Sequence, residues 1–459
     1  MTTNKKVNWI DTHSDGQKRI NSQLLYKHLK ETLPLKITDK GNFYLYEGKV
    51  YRRVSQKEFK SIIKNCLPIE YRKAKDWETV WKEFNTDKPD IKESQLDANE
   101  NIIGFENGIL NIKNGEMMKF SKKHLLTRLV QCNYLPNKNL SEAPVFFKYL
   151  QKLCNSNQEN MNFLLEFIGA VLSNVQGWRF KKLLIIVGAG NTGKTQIREF
   201  TLKILGEEAS VSIDLKKINE RFGSAQLYKK RLAGSGDMSA GGIAELNTIK
   251  NLTGGDSLFA EFKGKDGFSF RYDGLLWFNA NSLPSFSGDR GQHVYDRIAI
   301  IKCNNVIPVE ERNSHLQTKM LEEKDIIVSV AIDRFIEAVN RGYKFTESEE
   351  MKNAVKKYQE DNNSLLQFVS ECCEKTTHSK GLKRNEFCEY YRKWCVINKM
   401  STEKDKDIGN QLKEYFSIEA KKTNGFFKYP LKLTDEKSQE FDSANYALKV
   451  MHDEYLKKY

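Results

Sequence analysis

The feature that most constrains how this chain folds is the stretch LLIIVGAGNTGKTQ, residues 183–196. Its first five residues are aliphatic, a length typical of a buried strand, and the residues after the glycines have the apolar spacing of a helix. The fixed positions of the phosphate-binding pattern are filled by Gly188, Gly193, Lys194 and Thr195. The sequence therefore predicts a strand, a phosphate loop and a helix in direct succession. A chance glycine-rich turn is the alternative.

The residue types of this loop suit a nucleoside triphosphate with its magnesium ion. Glycines allow the backbone to fold around the phosphates, so that several N–H groups and the start of the helix point at them. Lys194 can reach the outer phosphates, and the Thr195 hydroxyl can ligate magnesium. We therefore expect ATP and Mg2+ as ligands, bound by Gly188, Ala189, Gly190, Asn191, Thr192, Gly193, Lys194 and Thr195.

The net charge indicates that the partner is an acidic polymer. The 459 residues carry 74 lysines and arginines against 60 aspartates and glutamates, which gives a net charge of +14 and a pI near 9.1. Nucleic acid is the polyanion we expect, and a lysine-rich composition without a bound polyanion is the alternative. The length predicts about two to four domains.

The cysteines and the start of the chain point to a reduced, cytoplasmic protein. The eight cysteines contain no C-x-x-C pair and are typical of buried thiols. A zinc site is the alternative near His378, where the neighbouring cysteines are Cys372, Cys373, Cys388 and Cys395. The chain does not begin with a charged-then-apolar leader, and no apolar run reaches membrane-spanning length. We therefore expect a soluble, cytoplasmic protein without membrane contact.

The first 140 residues predict a small α+β accessory domain. Residues 41–54 alternate aromatic and polar side chains around turn glycines, which indicates a hairpin, and residues 59–67 and 76–84 have helical spacing. Residues 99–116 contain two short apolar runs separated by Asn-Gly and predict a second hairpin. Because we find no acidic cluster here that could hold two metal ions, we do not expect primase activity.

Further candidates for the triphosphate site follow the phosphate loop, which is itself preceded by two predicted amphipathic helices within residues 143–175. An NTPase of this kind needs an acid at the end of a neighbouring strand to bind the magnesium shell and polarise the attacking water, and Asp237 is the best candidate. Glu245 and Asp256 are second choices, and a solvent-facing turn aspartate is the alternative. Asn281, at the tip of the strand beside the phosphate loop, fits the amide that orients the lytic water.

A lysine-bearing hairpin and two arginines complete the candidates in the central region. The strand-like stretches FAEF and FSF flank a tight turn that presents Lys263 and Lys265 at its tip. These lysines can grip a phosphate backbone, and a solvated hairpin tip is the alternative. Arg290 or Arg297, before a further predicted strand, can act on the nucleotide of a neighbouring subunit. An ordinary salt bridge is the alternative.

The last third of the chain predicts a DNA-binding domain. A strongly apolar helix at 326–341 would form a lid behind the ATPase core. Residues 361–459 contain three helical segments and a lysine-rich hairpin with an Asn-Gly turn, the pattern of a winged helix-turn-helix. Asn410 and Gln411 are expected on the exposed side of the third helix, where base contact and a solvated face are both open. The lysines expected on DNA are Lys406, Lys413, Lys421 and Lys422.

Residues 143–345 resemble the superfamily 3 helicases, because the phosphate loop, Asp237, the lysine hairpin, Asn281 and Arg297 occur in the order of that family. The chain is most similar to the phage and plasmid primase-helicase family, most specifically at the phosphate loop and at TGGD…FNANSLP. The segment NENIIGFENGILNIKNGE resembles the one that precedes the motor in that family. The lack of a primase region, the lysine-rich N-terminus and the basic C-terminal domain resemble the replication initiators (Rep) of staphylococcal pathogenicity islands.

The resemblance implies an α/β fold whose AAA+ P-loop NTPase core forms a hexameric ring around DNA, with ATP held between subunits. It implies the following roles: Walker A for 188–195, the Walker B acid for Asp237, the pore hairpin for Lys263 and Lys265, sensor 1 for Asn281 and the arginine finger for Arg297. The expected domains are an N-terminal α+β accessory domain (1–140), an AAA+ superfamily 3 helicase motor with its lid (141–360) and a C-terminal winged-helix DNA-binding domain (361–459). The family often has a glutamate where this chain has the lone Asp237.

The predicted function is an ATP-dependent, self-loading replicative DNA helicase that binds an origin and unwinds duplex DNA as a ring, to initiate replication of a mobile genetic element. The expected partners are single-stranded DNA in the pore, origin duplex at the C-terminal domain, further copies of the chain, and a primase or other replication proteins. Two other functions remain open: a DNA-stimulated ATPase that remodels or packages DNA without unwinding it, and a non-enzymatic DNA-binding regulator whose nucleotide loop gates oligomerisation.

Overall fold

The computed structural model describes residues 9–12, 14, 16–238, 247–264, 266–284, 292–398 and 400–442. These residues fall into two compact units. The first unit contains the residues up to 238 together with 251–281 and 301–348, and the second unit contains the remaining described residues. In this part of the chain, no helix is both long enough and apolar enough to cross a membrane.

The N-terminal part of the first unit is a small α+β assembly, as predicted. Its elements are β1 (Ile10–Thr12), β2 (Lys18–Ile20), α1 (Ser22–Thr32), β3 (Leu35–Ile37), β4 (Phe43–Tyr46), β5 (Tyr51–Val54), α2 (Gln56–Cys66) and α3 (Ala74–Thr86). β1 and β2 pair with each other, and β3, β4 and β5 form an antiparallel sheet. Leu25, Phe59 and Phe84, one from each helix, pack in one apolar cluster with this sheet. The hairpin and the two helices predicted here are confirmed.

A second antiparallel sheet connects this assembly to the region of the phosphate loop. Its strands are β6 (Ile102–Phe105), β7 (Gly108–Asn111) and β8 (Glu116–Met118). The predicted hairpin with its Asn-Gly turn is confirmed as β6 and β7, and β8 adds a third strand. Ile102, Ile109 and Leu126 are buried together against this sheet.

The region around the phosphate loop alternates helices and strands. Its elements are α4 (Pro144–Leu153), α5 (Gln158–Leu172), β9 (Leu183–Val187), α6 (Lys194–Leu205), β10 (Ser210–Ser212), α7 (Leu215–Ile218), β11 (Leu232–Gly234), α8 (Asn247–Gly254), β12 (Ser257–Ala260), β13 (Phe268–Arg271), β14 (Leu275–Ala280), α9 (Gln292–Tyr295), β15 (Ile298–Lys302), α10 (Leu316–Glu322) and α11 (Lys324–Asn340). The strand, loop and helix predicted at 183–196 are therefore confirmed.

Five of these strands form one sheet, in the order β10, β11, β14, β9, β15. The pairs β10–β11, β11–β14 and β14–β9 are parallel. β9 and β14 are buried along their whole length, which explains why their sequences are nearly continuous apolar runs. β12 and β13 form a separate antiparallel ribbon. The α/β class predicted from the sequence is confirmed by this parallel sheet and its helices.

The helix α5 is buried on more than one side, so the prediction that it is amphipathic is wrong. Every residue from Phe163 to Leu172 is buried. α5 packs so closely on α11 that a Cβ added to Gly169 would lie 2.5 Å from the Ala331 carbonyl oxygen. The Phe167 ring also meets the Trp277 ring of β14 edge-on. α5 therefore lies between α11 and the sheet, so no side of this stretch faces solvent.

The C-terminal part of the second unit combines helices with short strands. Its elements are α12 (Glu349–Asn362), α13 (Ser364–Cys372), β16 (Cys373–Lys375), α14 (Arg384–Ile397), α15 (Asp405–Phe416), β17 (Lys421–Thr423), β18 (Phe426–Lys428), β19 (Leu431–Leu433) and α16 (Asp435–Asp442). β16 pairs with β19 and β17 pairs with β18, both antiparallel. The three predicted helices and the lysine-rich hairpin are confirmed.

The cysteines are free thiols, as predicted. Cys372, Cys388 and Cys395 pack in the core of the second unit with aromatic residues such as Trp394. Burial raises the pKa of the Cys372 thiol to about 12, so this thiol stays protonated at neutral pH. Within the described ranges, no group of three or more His, Cys, Asp or Glu is placed to hold a metal ion. The zinc alternative near His378 therefore finds no ligand set there.

Candidate functional site

The phosphate loop begins in a narrow gap beside the ends of β14 and β15. The Gly188 N–H donates to the Ala280 carbonyl oxygen at 3.2 Å. A Cβ added to Gly188 would lie 2.1 Å from the Cys303 carbonyl oxygen, so that only glycine fits here. Gly193 ends the loop with a φ of 90°, which glycine adopts without strain. These two glycines allow the chain to pass from β9 into α6 through a tight loop.

Lys194 is the first residue of α6 and lies inside the loop. Its Nζ donates to the carbonyl oxygens of Gly188 at 2.6 Å and Ala189 at 2.7 Å, and to the Thr192 hydroxyl at 3.2 Å. The residue is only 7% exposed, and burial lowers the pKa of its ammonium group. Among the described residues no carboxylate forms an ion pair with Lys194. Thr195, the predicted magnesium ligand, follows it and is exposed.

Two further predicted catalytic residues lie at the same edge of the sheet as the loop. Asp237 comes three residues after β11 and Asn281 directly after β14, and both are exposed. The carboxyl ends of parallel strands share one edge, where open α/β sheets bind their ligands. Asp237 is close enough to Lys194 for its negative charge to oppose the larger effect of burial on the pKa of the ammonium. The structure therefore brings Lys194, Asp237 and Asn281 together.

The order of the strands confirms one of the predictions and corrects another. β14 pairs with β9, so Asn281 does lie at the tip of the strand beside the phosphate-loop strand. β11, which leads to Asp237, pairs with β14 and is not adjacent to β9. The prediction that the acid follows a neighbouring strand is therefore wrong, because β14 lies between. Of the second choices, Asp256 is exposed just before β12 and Glu245 lies outside the described residues.

Asn279 is a site residue that the sequence reasoning missed. It is fully buried, and its Nδ2 donates to the Lys194 carbonyl oxygen at 3.0 Å while its Oδ1 accepts from the Trp277 indole N–H at 3.0 Å. Its backbone N–H donates to the Ser235 carbonyl oxygen. Asn279 therefore ties the start of α6 to β14 and β14 to the end of β11. The available signal was a polar residue inside the apolar run LLWFNA.

Arg198 is a second residue that was missed. It lies on α6, four residues after Lys194, and its Nη2 donates to the Gly234 carbonyl oxygen of β11 at 2.9 Å. Only 3% of the residue is exposed. The available signal was its spacing, because residues four apart lie on the same face of a helix.

Arg297 lies in the second unit, directly before β15. It is partly buried, and its Nε donates to the His293 carbonyl oxygen at 3.2 Å. Its predicted action is on the nucleotide of another copy, and this stays a prediction. Arg290, the other arginine considered, lies outside the described residues.

The predicted lysine hairpin is an antiparallel ribbon with a longer connection than expected. β12 ends at Ala260, so residues 261–267 join the two strands in place of the predicted tight turn. Lys263 is exposed on this connection, and Lys265 lies outside the described residues. The rings of Phe262 and Phe268 stack on each other at 5.3 Å.

The end of this hairpin next to its connection contacts Tyr228, and through it the N-terminal part of the same unit. The Tyr228 ring packs edge-on against Phe268 at 5.1 Å, and Lys40 Nζ donates to the Tyr228 hydroxyl at 2.6 Å. In the next position of the chain, Lys229 forms an ion pair with Glu93. The segment that precedes β11 therefore connects the N-terminal assembly, the hairpin and the parallel sheet.

The predicted DNA-binding lysines of the second unit are exposed. These are Lys406, Lys413, Lys421 and Lys422. Lys413 Nζ pairs with Glu419 at 2.6 Å, so its charge is partly compensated. The placement predicted for Gln411 is wrong, because its amide is partly buried, donates to Glu403 and accepts from Asn363. Asn410 is exposed on α15, as predicted.

Two family models match separate segments of the chain. Residues 186–297 match a family of unknown function, DUF5906, and residues 22–155 match the family described as D5 N terminal like. In addition, the chain is 22% identical over 254 residues to the putative helicase L207/L206 of Acanthamoeba polyphaga mimivirus, a match that covers 52% of this chain and 24% of the viral protein. The chain thus spans about a quarter of the length of that curated relative.

Two solved structures match this chain at low sequence identity. The A form apo structure of the NrS-1 C-terminal region is 13% identical with a TM-score of 0.49, and the match covers 94% of this chain and 89% of that chain. An apo structure of NrS-1 residues 305–718 is 13% identical with a TM-score of 0.48, and covers 88% of this chain and 98% of that chain.

Proposed function

We propose that this protein is an ATP-dependent DNA helicase that hydrolyses ATP at the phosphate loop of an AAA+ core. The observation that carries the proposal is that Lys194, Asp237 and Asn281 lie at one edge of a parallel sheet, beside a loop that needs glycine. This set supplies a cation for the phosphates, an acid for the magnesium shell and an amide that can orient water. Phosphoryl transfer depends mainly on such positioning and charge stabilisation.

The residues present fit ATP and Mg2+. The ammonium group of Lys194 is buried among carbonyl oxygens without an ion-pair partner in the described residues, and an anionic ligand would offset the free-energy cost of this burial. Thr195 and Asp237 offer the hydroxyl and carboxylate oxygens that Mg2+ prefers. When bound, Mg2+ neutralises phosphate charge and acts as a Lewis acid. The amide of Asn281 can hold the attacking water.

We further propose that copies of the chain form a hexameric ring in which Arg297 of one copy acts on the nucleotide of the next. An arginine supplied by a neighbour stabilises the charge of the transition state and makes hydrolysis depend on assembly. Lys263 and Lys265 would then face DNA in the pore and move with the nucleotide state. This part of the proposal rests on the resemblance to superfamily 3 helicases.

The C-terminal residues, 361–459, are proposed as a winged-helix domain that recognises the replication origin. The order of a helix, a strand, two helices and a ribbon, from α13 to β18, supports this assignment. In helix-turn-helix domains the recognition helix enters the major groove. Lys406 on α15 and the lysines of β17 are exposed where phosphate contacts would be made, and such contacts supply most of the non-specific affinity. Residues 141–360 would then be the motor and 1–140 the accessory domain.

The helicase named among the viral relatives favours unwinding over the other two functions. The net charge of +14 supports a nucleic-acid partner. We propose that unwinding starts at an origin, with loading by the protein itself, as in the replication initiators that the sequence resembles.

The test uses purified full-length protein, ATP, Mg2+ and a forked DNA duplex with one labelled strand. We expect steady ATP turnover that DNA stimulates, together with release of the labelled strand. Lys194→Ala removes the buried ammonium group and should lower ATP turnover by at least about 100-fold, since preorganised charge at the reacting group is worth that much or more. Lys203→Ala is the matched control, because Lys203 lies exposed on the same helix.

Each remaining outcome contradicts the helicase proposal in its own way. Turnover without strand release would identify an ATPase that remodels or packages DNA. DNA binding without any turnover would identify a non-enzymatic regulator. Equal activity of the Lys194→Ala and Lys203→Ala variants would remove the phosphate loop from the mechanism.

A further inference from the structure

Arg198 links the helix of the phosphate loop to the turn that carries Asp237. It lies one helical turn after Lys194, on the same face of α6. Its Nη2 donates to the carbonyl oxygen of Gly234, the last residue of β11, at 2.9 Å. Its Nη1 lies 4.0 Å from the position that a Cβ on Gly236 would take. The guanidinium group therefore lies along the backbone that leads from β11 to Asp237.

The charge of Arg198 is buried and its hydrogen bonds are incomplete. The residue is 3% exposed, and its ion pair with Glu199 is long, at 4.0 Å. Arg198 Nε and the nearby Ser235 Oγ are both buried without a hydrogen-bond partner among the described residues. Burying a charge in this way costs free energy, and such groups concentrate at functional sites.

The backbone next to Arg198 depends on small residues. Gly234 has a φ of 141°, and a Cβ there would lie 1.9 Å from the Trp277 carbonyl oxygen. Because Gly236 also has no side chain, the turn leaves room for the guanidinium group. The two glycines provide no side-chain contacts of their own that could fix the backbone of the turn. The far end of the turn is held by β14, where the Met238 N–H donates to the Asn279 carbonyl oxygen at 2.7 Å. The near end is held by backbone hydrogen bonds from the Asn279 N–H to the Ser235 carbonyl oxygen and from the Ile213 N–H to the Gly234 carbonyl oxygen. Arg198 adds a side-chain bond that ties this end to α6.

We propose that Arg198 is a positioning residue that sets the distance between Asp237 and Thr195, an inference that rests on the proposed ATPase function. The two predicted magnesium ligands lie on different elements, Thr195 on α6 and Asp237 on the turn after β11, and Arg198 bonds these two elements to each other. Without the guanidinium group the turn keeps its backbone hydrogen bonds but loses its direct bond to α6. Lys194 keeps its own contacts in the loop. Arg198 therefore controls magnesium affinity and turnover, while the affinity for nucleotide without metal depends on the loop.

The test compares Arg198→Met and Arg198→Lys in the full-length protein. Methionine keeps an apolar side chain of similar length and removes the guanidinium group, whereas lysine keeps the charge and a donor. Arg334→Met is the control, because Arg334 is a partly exposed arginine of α11 that pairs with Glu337. Turnover is measured at saturating ATP over a range of Mg2+ concentrations. Binding of a fluorescent ATP analogue is measured with Mg2+ and with a chelator.

For Arg198→Met we expect the Mg2+ concentration at half-maximal turnover to rise about 10-fold and kcat to fall about 10- to 100-fold, because small misplacements of catalytic groups have effects of this size. The KM for ATP and the affinity for the analogue without metal should change less than about 3-fold. Arg198→Lys should recover part of kcat. Arg334→Met should match the wild type.

A purely structural role for Arg198 predicts a lower melting temperature with an unchanged Mg2+ midpoint, and that result would overturn the proposal. If Arg198→Met does not fold, Arg198→Lys decides: a raised Mg2+ midpoint supports the proposal and a wild-type midpoint overturns it.

The binding measurement separates this inference from the proposed ATPase function. If the wild type turns over no ATP, the ATPase proposal fails, but at a limiting Mg2+ concentration the metal should still strengthen binding of the analogue more in the wild type than in Arg198→Met. An equal gain in all proteins, or no gain in the wild type, would contradict the positioning role.

Discussion

A buried arginine lies at each end of β11, and the two differ in how many of their donors form hydrogen bonds. At the amino end Arg231 is 4% exposed and donates to the carbonyl oxygens of Ala170, Val171, Val175 and Asp273. At the carboxyl end Arg198 is equally buried, but its Nε and the neighbouring Ser235 Oγ lack partners among the described residues. The guanidinium group therefore has all its nitrogens hydrogen-bonded at the amino edge of the sheet, whereas at the carboxyl edge one nitrogen is left without a partner among the described residues.

The amino end is built for structure. Ala170 and Val171 belong to the last turn of α5, whose carbonyl groups have no partner within the helix, and Arg231 satisfies them. Arg128 adds a hydrogen bond to the Ser173 carbonyl oxygen just beyond. The carboxyl end is the edge at which parallel sheets bind ligands. Incomplete hydrogen bonding of the buried arginine, more than its burial or charge, therefore distinguishes the carboxyl edge of this sheet from the amino edge.

The largest effect on stability is expected from removing the hydrogen bonds of Arg231 at the amino end of β11. Arg231→Met leaves several buried carbonyl oxygens unpaired and should lower the free energy of unfolding by about 3–5 kcal/mol. Chemical or thermal denaturation measures this loss, with Arg334→Met, at a partly exposed position, as the control that stays within about 0.5 kcal/mol. The Mg2+ dependence of the molecules that remain folded should match the wild type. A shifted Mg2+ midpoint in Arg231→Met would contradict the view that only the arginine at the carboxyl end of β11 affects magnesium binding.

A second test distinguishes residues that stabilise the carboxyl edge of the sheet from residues that act in turnover. It compares two asparagines of the same segment. Asn279 is buried and bonded to the Lys194 carbonyl oxygen and the Trp277 indole, so Asn279→Ala should lower the free energy of unfolding by about 1–3 kcal/mol. Asn281 is exposed, so Asn281→Ala should leave the melting temperature unchanged. Its kcat should fall about 10- to 100-fold through loss of water orientation.

Melting curves and steady-state ATP turnover on both asparagine variants separate these effects. If Asn281→Ala keeps full turnover, the amide does not act on the water. If Asn279→Ala loses turnover without losing stability, the buried asparagine has a direct role in the chemistry that its contacts do not suggest.

The elements of this protein were predictable where the signal is local. The phosphate loop has fixed residue spacing. The hairpin at 41–54 has alternating side chains, and the one predicted within 99–116 has two apolar runs separated by Asn-Gly, so these elements followed from short stretches of sequence. The placement of Lys194, Asp237 and Asn281 at one edge of the sheet was likewise predictable, because the carboxyl ends of parallel strands share an edge.

The partners of each residue were not predictable, because they depend on contacts between segments far apart in the sequence. The order of strands decides that β14 separates Asp237 from the loop strand. The packing of α11 and the sheet decides that α5 is buried, and the contact with Asn363 removes Gln411 from the exposed face of α15. Arg198 has no motif, and its importance follows only from the glycines that β11 places beside it.

The smallest expected effect concerns the ion pair next to Arg231, which gives the amino end a dependence on pH. Burial alone would raise the pKa of the Glu93 carboxyl, but hydrogen bonds from Lys229 and Asn42 outweigh it and lower its pKa below the ordinary value of 4.5. Because the folded pKa lies below the unfolded one, this pair stabilises the fold above the ordinary pKa, and the contribution is lost as the pH falls through the folded pKa.

Glu93→Gln should therefore lower the free energy of unfolding at neutral pH and lose that difference in acid. The expected loss is about 1 kcal/mol, since the Lys229 side chain is 41% exposed and solvent screens the pair. Melting temperatures of both proteins from about pH 7 to about pH 3 measure the convergence. A difference that widens as the pH falls would contradict the sign. The difference in melting temperature between the wild type and Arg198→Met should stay the same over this pH range. The reason is that Arg198 lies 4.0 Å from the Glu199 carboxylate, at the limit of an ion pair.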